Sequence, residues 1–248
     1  MKIDRDVELV EGLPMAFIRS INSVVVADLH LGYEGRMARG GVFIPKANLK
    51  RIIKDIGGAI DSTGADRIIV VGDIKNEFSD VAHEEFNELY EVIKFCRERH
   101  VALELVKGNH DNFIDRYKES MGFASHSGSA LIGKYLFFHG DRLPQIGRAK
   151  PRMLISGHEH PSIGVLNPAG RIERLRCFLL GEYNGLRLMV LPAIGYFATG
   201  SEVNMTRNRP LSPILRSIDV GKMHAIAVGY GSTIDFGTID ELREAAYR

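Results

Sequence analysis

The side chains best suited to chemistry occur in five short motifs of histidine, aspartate or asparagine, four of which include glycine. Carboxylate, imidazole and amide donors without a thiolate favour Mn²⁺, Fe or Zn²⁺ over purely soft-metal chemistry. Seven such donors are too many for one four-coordinate zinc ion, but they suit two metal ions that share a bridging carboxylate. The candidate metal ligands are Asp28, His30, Asp73, Asn109, His139, His158 and His160.

Two divalent ions held by this set would give the site a defined chemistry. Metal ions about 3.5–4 Å apart can clamp the attacking and the leaving oxygens of an in-line phosphoryl displacement. They also lower the pKa of bound water, so that hydroxide becomes available near neutral pH. The motifs therefore predict that metal-activated hydroxide hydrolyses a phosphate ester. We expect Mn²⁺, with Fe, Zn²⁺, Ni²⁺ and Mg²⁺ as alternatives.

Each motif directly follows a segment that is predicted to be a strand. Ligands of α/β proteins bind just beyond the carboxyl ends of the strands. We therefore expect the five motifs to converge on one crevice. The strand segments that precede them are 24–26, 68–71, 103–106, 136–138 and 154–155.

The first half of the chain alternates predicted strands with predicted helices. Continuous apolar runs at 23–27, 67–71 and 101–106 are typical of strands buried on both faces. One intervening helix is expected to contain Pro45 in its first turn, and the next is expected to be capped by Ser79 or Asp80. This β-α-β-α-β order predicts parallel strands joined by right-handed crossovers.

The second half contains shorter apolar runs separated by turns. A capping-box pattern, Thr238-Ile-Asp-Glu241, predicts a short terminal helix. The whole pattern predicts an α/β fold, a four-layer αββα sandwich in which two mixed β-sheets lie face to face and helices flank them. Without repeats or linker-like segments, residues 1–248 are expected to form a single domain. The predicted strands of this half are 135–138, 153–155, 177–180 and 186–191.

Composition excludes several classes of protein. The 248 residues are 45% hydrophobic and 25% charged, as in ordinary globular proteins. No apolar run is long enough for a membrane span, the first residues lack the apolar stretch of a signal peptide, and Cys96 and Cys177 are too few for a disulfide framework. We therefore expect a cytoplasmic protein that does not enter a membrane, and the sequence leaves the oligomeric state open.

The near-neutral net charge of +1 hides an uneven distribution along the chain. Residues 1–133 carry a net charge of −4, residues 134–216 carry +7 and residues 217–248 carry −2. The positive segment could form a face that attracts a phosphate-rich substrate, or its arginines could simply solvate the outer faces of strands.

The ordered pattern D-x-H, G-D, G-N-H-D, H and G-H-x-H resembles that of the calcineurin-like binuclear metallophosphoesterases. The resemblance implies that His110 contacts the phosphate and assists the leaving group, and that Asp111 orients His110. It also implies that Asp73 bridges the two metal ions. One ion would be bound by Asp28, His30, Asp73 and His160, and the other by Asp73, Asn109, His139 and His158.

A narrower resemblance extends over nearly the whole chain. Segments 28–34, 72–78, 177–179, 191–193 and 211–215 are similar to an archaeal-type branch related to the SbcD nucleases and to DNA-ligase-associated phosphoesterases. Within 72–78, Asn76 stands where that branch is expected to have His. The resemblance implies a phosphodiesterase whose candidate substrates include nucleic acid and nucleotides.

Other functions remain compatible with the same residues. A phosphomonoesterase or a cyclic-nucleotide phosphodiesterase would use the same metal ions. A non-catalytic scaffold of the same fold is a further alternative, although all seven donors and His110 are intact. The segment 196–203 could form a lid over the crevice or a plain surface connection.

Overall fold

The computed structural model describes residues 1–148, 150–167, 169–198, 200–205 and 209–246. The strands are β1 (Val7–Leu9), β2 (Ala16–Ile18), β3 (Ser23–Val26), β4 (Arg67–Val71), β5 (Ala102–Val106), β6 (Ala124–His126), β7 (Ser129–Ile132), β8 (Tyr135–Phe138), β9 (Met153–Ser156), β10 (Pro161–Leu166), β11 (Ile172–Tyr183), β12 (Leu186–Val190), β13 (Ser201–Glu202), β14 (His224–Gly229) and β15 (Ser232–Thr238). The α-helices are α1 (Tyr33–Arg39), α2 (Asn48–Thr63), α3 (His83–Glu98), α4 (Lys118–Met121), α5 (Pro213–Arg216) and α6 (Ile239–Ala246).

The first sheet contains the predicted β-α-β-α-β unit. Strands β3, β4 and β5 are parallel neighbours, with Val24 opposite Ile68 and Ile68 opposite Leu103. Helices α2 and α3 connect them. The sheet has the order β1-β2-β3-β4-β5-β6 and is mixed, because β1 and β2 are antiparallel to their neighbours. This part of the prediction is confirmed.

The beginnings of the two connecting helices differ from the predictions. Helix α2 begins at Asn48 rather than at Pro45, and the carboxylate of Glu34 accepts hydrogen bonds from the N–H groups of Ala47 and Asn48. Helix α3 begins at His83, where Glu85 rather than Ser79 or Asp80 accepts the N–H of Ala82 at 2.9 Å. For α2, a carboxylate from a distant segment satisfies the free N–H groups of the first turn.

The second sheet has the order β13-β10-β11-β12-β9-β8-β7, and β14 pairs with both β11 and β15. It is mixed because β8, β9 and β12 are parallel whereas most other pairs are antiparallel. The predicted capping box is confirmed at α6, since the N–H of Thr238 donates to Glu241 at 2.7 Å and the N–H of Glu241 donates to the Thr238 hydroxyl at 3.2 Å.

Alternating side chains divide the interior into three apolar layers. On β3, Val24 packs in the cluster that contains the inner faces of α2 and α3, whereas Val25 packs in the cluster that contains Phe137 of the second sheet. On β9, Leu154 packs on the outer side of the second sheet with Ile214 of α5. Three clusters between four layers confirm the predicted αββα sandwich.

Two further features bear on the sequence-based expectations. Within the described residues, no helix combines the length and the apolar character needed to cross a membrane. Cys96 and Cys177 are both free and buried. The single domain over residues 1–248 and the cytoplasmic location stay predictions.

Candidate metal centre

The five motifs lie at the carboxyl ends of strands from both sheets, as predicted. Asp28 lies two positions after the last residue of β3, and Asp73 lies two positions after the last residue of β4. His139 follows β8 directly. Backbone hydrogen bonds join the loops, since the N–H of Asp28 donates to Gly72 at 3.1 Å and that of His30 donates to Asp73 at 3.0 Å. The two sheets therefore present their motifs to one crevice.

The first group of donors consists of Asp28, His30 and His160, whose ligand atoms lie within 4.8 Å of one another. The Nε2 atom of His160 lies 3.3 Å from Oδ1 of Asp28 and 3.3 Å from Nε2 of His30. Asp28 is fully buried. These atoms come from loops 130 residues apart, so only the tertiary fold brings them together.

The second group consists of Asp73, His139 and His158, again with ligand atoms within 4.8 Å of one another. The Nε2 atom of His139 lies 3.1 Å from Oδ2 of Asp73 and 3.1 Å from Nδ1 of His158. The side-chain oxygen of Asn109 lies 3.0 Å from the same nitrogen. Four of the predicted donors thus converge on one point.

Asp73 connects the two groups. Asp73, His30 and His110 form a third group, and the ligand atoms of these three residues also lie within 4.8 Å of one another. His139 provides another link, because its Nδ1 lies 3.8 Å from Oδ1 of Asp28. This arrangement is compatible with a carboxylate that bridges two ions.

The backbone at these positions is unusual. Non-glycine residues rarely adopt the left-handed region of positive φ, and each such residue costs about 1–3 kcal/mol. Strain of this kind is retained where the surrounding structure enforces it, often at functional sites. Five of the seven predicted ligands adopt it: Asp28 (φ 59°), His30 (48°), Asp73 (49°), His158 (70°) and His160 (47°).

Two glycines allow the donors to approach closely. A Cβ atom on Gly72, which has a φ of 82°, would lie 2.0 Å from Nδ1 of His139. A Cβ atom on Gly108 would lie 2.2 Å from Oδ1 of Asp73. Any side chain at either position would displace a candidate ligand.

Electrostatics indicate that the crevice attracts positive charge. Burial raises the pKa of Asp28 and of Asp73, but attraction to His160 and His139 respectively outweighs burial and leaves each pKa below its usual range. Burial lowers the pKa of His139, yet the nearby Asp73 carboxylate more than compensates and raises that pKa to about 10. The buried carboxylates of Asp28 and Asp73 thus stabilise positive charge in the crevice.

His30 behaves differently from His139. Burial and the positive charge of His160 lower the pKa of His30 to about 4, so its ring is neutral at pH 7. Its Nδ1 is buried and has no hydrogen-bond partner within the described part of the chain. Neutral imidazole and ionised carboxylate are the forms in which these side chains bind metals. Both carboxylates and His30 are therefore in the forms that bind a divalent cation, and a cation would displace the proton of His139.

His110 lies beside this crevice, held by contacts from the loop after β4. Its Nδ1 lies 2.5 Å from the carbonyl oxygen of Asn76, and its ring packs on Phe78 with a centroid distance of 3.7 Å. Since a carbonyl only accepts, Nδ1 carries the proton and Nε2 remains free to face a substrate. This Nε2 lies 3.8 Å from Oδ2 of Asp73.

Asp111 does not occupy the position that we expected from the sequence. Its buried carboxylate accepts backbone hydrogen bonds from Gly108 at 2.8 Å, Ile74 at 2.9 Å and Lys75 at 3.3 Å. The ring of His110, which we expected Asp111 to orient, is held at Nδ1 by the Asn76 carbonyl. Asp111 therefore joins the loops after β4 and β5 and positions His110 only indirectly.

Two residues that sequence reasoning missed hold the opposite wall of the crevice. The amide of Asn48 accepts the N–H of Tyr196 at 2.7 Å and donates to the carbonyl of Leu29 at 3.2 Å. The guanidinium of Arg176 donates to the carbonyls of Gly195 and Tyr196 at 2.6 and 2.9 Å. Both act on backbone atoms of distant loops, which leave no local signal in the sequence. The segment 196–203 includes Thr199, which lies outside the described residues.

One solved structure with a TM-score of 0.63 shares this fold. No curated protein matches the sequence. Among solved structures, the nuclease MPE of Pseudomonas putida is 17% identical over 92% of this chain and 100% of its own, with a TM-score of 0.63. YfcE, a phosphoesterase from E. coli, is 15% identical over 86% of this chain and 96% of its own, with a TM-score of 0.44.

The match to a family profile covers the larger part of the candidate site. It contains the motifs of Asp28, Asp73, Asn109 and His139, whereas His158 and His160 lie beyond it. The profile of the calcineurin-like phosphoesterases matches residues 21–152, just over half of the sequence, and the chain belongs to this family of metal-dependent phosphoester hydrolases.

Proposed function

We propose that the protein is a binuclear metal-dependent phosphodiesterase. The observation that carries this proposal is the pair of donor groups that meet at Asp73, beside a histidine with a free Nε2. A phosphodiester offers two non-bridging oxygens and one leaving oxygen, which suits two cations together with one proton donor.

The proposal assigns a role to each predicted donor. Bound divalent ions would polarise the phosphoryl oxygens and lower the pKa of a coordinated water. Asp73 would hold both ions. The first ion would also contact Asp28, His30 and His160, and the second Asn109, His139 and His158.

His110 has a role that does not depend on the ions. Its Nδ1–H is fixed on the Asn76 carbonyl, so Nε2 keeps one direction. When the ring carries a second proton on Nε2, that proton can pass to the leaving oxygen and leave the neutral ring with its Nδ1–H. General acid help of this kind contributes about 10²–10⁴ in rate. Asp111 fixes the loop on which His110 lies.

The test is hydrolysis of bis-p-nitrophenyl phosphate by the purified protein. We expect Mn²⁺ to stimulate hydrolysis and EDTA to abolish it. The variants Asp73→Asn and His158→Ala should lose activity by about 100-fold or more, since losing even an outer partner of a ligand typically costs 10–100-fold. Asp61→Asn, an exposed carboxylate on α2, is the matched control. Full activity of Asp73→Asn with Mn²⁺ present would refute the proposal.

The identity of the ions is tested by elemental analysis and reconstitution. We propose Mn²⁺, because oxygen and imidazole donors without a thiolate suit it. Activity after loading with Mn²⁺ should exceed the activity after loading with Fe, Zn²⁺, Ni²⁺ or Mg²⁺. A higher activity with one of the other ions would assign the site to that ion.

Nucleic acid is the narrower substrate that we propose. The similar structure from P. putida is that of a nuclease. In this chain, arginines of the positive segment line a cavity of about 890 Å³ that shares Glu159 and Leu211 with the space beside His160. These arginines are Arg174, Arg209 and Arg216.

Salt dependence tests this narrower proposal. If the arginines bind phosphates, affinity for an oligonucleotide should fall steeply as salt rises, because bound counterions are released. Rates of hydrolysis of mononucleotides and of cyclic nucleotides, measured beside that of the oligonucleotide, distinguish a nuclease from a phosphomonoesterase and from a cyclic-nucleotide phosphodiesterase. A salt-insensitive reaction that prefers a small nucleotide would argue against nucleic acid.

A further inference from the structure

A cavity of about 360 Å³ opens beside the first donor group. Its volume lies within the range of about 300–1,000 Å³ that is typical of small-molecule pockets. His30 and His160 form one side, so whatever fills the cavity adjoins the phosphate position. The other lining residues that bear on its ligand are Tyr33, Asn48, Asn76, Glu159 and Phe197.

One wall of the cavity is aromatic and held in place. The rings of Tyr33 and Phe197 stack with a centroid distance of 5.1 Å and an angle of 15°. Arg176 and Asn48 fix the backbone just before Phe197 through the contacts described above. The wall therefore forms before any ligand arrives, which lowers the entropic cost of binding a flat group.

Asn76 provides an unused polar group at this cavity. The residue is 4% exposed, yet its side-chain Nδ2 donates no hydrogen bond to any described residue. Its backbone is fixed on two sides, because the N–H donates to Leu31 at 3.0 Å and to Glu85 at 3.0 Å. A buried amide without a partner costs free energy, and a ligand with a complementary edge would satisfy it.

The charges of the lining favour an uncharged ligand. Among its described residues there is neither lysine nor arginine. Glu159 is 1% exposed and accepts the N–H of Ser212 at 2.8 Å, so its carboxylate is already engaged. A second phosphate would find no lysine or arginine among the described lining residues, whereas a flat, neutral, hydrogen-bonding ring would find a stacking wall and an amide.

We propose that this cavity binds the nucleoside that adjoins the scissile phosphate, with its base against Phe197 and its polar edge on the Asn76 amide. The inference rests on the proposed phosphodiesterase function and narrows its substrates to diesters that contain a nucleoside. Free nucleotide diesters and the ends or single strands of nucleic acid share this chemistry.

Equilibrium binding tests the cavity without requiring hydrolysis. Titration calorimetry with EDTA present compares a nucleoside 5′-monophosphate with ribose 5-phosphate and inorganic phosphate. We expect the nucleotide to bind about 10-fold more tightly than ribose 5-phosphate, because stacking and the amide act on the base alone. Equal affinities would overturn the proposal.

Two variants test whether the base of the nucleotide binds in this cavity. Phe197→Leu and Asn76→Ala should each reduce the affinity ratio of nucleotide to ribose 5-phosphate by about 3- to 10-fold. Tyr90→Leu and Asn87→Ala, both on α3 and outside the cavity, are the matched controls and should retain the ratio. A ratio unchanged in both cavity variants would overturn the proposal, even if their stability were altered.

Hydrolysis distinguishes this inference from the proposed function. If the wild type binds the base but hydrolyses no diester with Mn²⁺, the phosphodiesterase proposal fails and the cavity stands. For an active enzyme, kcat/KM values for a dinucleoside monophosphate and for a longer single-stranded oligonucleotide identify the source of the nucleoside. On the preferred substrate, Phe197→Leu should raise KM by a larger factor than it lowers kcat. A larger effect on kcat than on KM would contradict binding of the base in this cavity.

Discussion

The Nε2 atoms of His30 and His160 face each other at 3.3 Å, although 130 residues separate the two histidines. His30 follows β3 of the first sheet, and His160 lies between β9 and β10 of the second. An Asp28 oxygen lies at the same distance from His160. A cation bound between these atoms would therefore tie the two sheets together.

Metal ions should accordingly stabilise the fold. A ligand that binds only the folded state adds about 2.7 kcal/mol at 100 times its Kd, which corresponds to roughly 5–10 °C in Tm for a chain of this size. We expect Mn²⁺ to raise Tm by this amount in scanning calorimetry and EDTA to reverse it. Asp28→Asn should lose most of the shift. An equal Tm with and without Mn²⁺ would contradict the proposed site.

His110→Asn should separate metal binding from proton transfer. We expect the variant to retain its metal content while kcat for a dinucleotide falls by about 10²–10⁴, since the donor to the leaving oxygen is lost. The loss should be smaller for bis-p-nitrophenyl phosphate, because p-nitrophenolate leaves without a proton. Equal losses on both substrates would show that His110 does not protonate the leaving group.

Asp111→Ala should destabilise the protein and disturb the loop of His110. Three backbone N–H groups, from Gly108, Ile74 and Lys75, lose their common acceptor. Leaving buried donors unpaired costs about 1–3 kcal/mol in the free energy of unfolding, measured with urea. Asp111→Asn keeps one acceptor oxygen and should lose less. If the alanine variant were as stable as the wild type, the linking role of Asp111 would be wrong.

Gly108→Ala tests the close approach of a backbone to Asp73. The added methyl group would lie 2.2 Å from Oδ1 of Asp73, so the carboxylate must move. We expect metal affinity to fall by about 10-fold or more in a titration with Mn²⁺. The matched control is Gly58→Ala on α2, where a Cβ atom meets no atom of a described residue within 4 Å. This control should stabilise the helix by about 0.5–1 kcal/mol.

The acid stability of the protein should depend on Asp4. Partial burial raises the pKa of Asp4, but the N–H groups of Asp6 and Val7 together with Arg187 outweigh burial and hold that pKa below 3.8. Arg152 adds a contact at 3.2 Å. A depressed pKa in the folded state contributes stability above the pKa of the unfolded chain, and this stability disappears as pH falls through the folded value.

Asp4→Asn should therefore lower the free energy of unfolding by about 1 kcal/mol at pH 7, because both arginines are partly exposed. The difference from wild type should shrink as the pH falls below 3.8, the ordinary pKa of an aspartate, because the unfolded chain then takes up the proton first. Urea unfolding at pH 7, 4 and 3 measures it. A difference that stays constant over this range would show that the charge of Asp4 is not responsible.

Much of the site could be predicted because each donor lies in a local pattern. A buried apolar run followed by glycine and a polar donor indicates the carboxyl end of a strand, and Gly72-Asp73 after β4 is such a case. The continuous apolar runs likewise predicted the parallel core of the first sheet. Helix α1 was missed, since it contains Gly35, which lies closely against Glu84 of α3.

The amino-acid sequence by itself determined the donor types, their order and the strands that carry them, because apolar periodicity and glycine turns are local properties. Only the tertiary structure decided that Asn76 rather than Asp111 contacts His110, that Glu34 caps α2, and that Arg176 holds the loop before Phe197. Two of these contacts join a side chain to a backbone carbonyl and the third to backbone N–H groups. Every residue carries such groups, so the sequence does not mark which of them a distant side chain will meet.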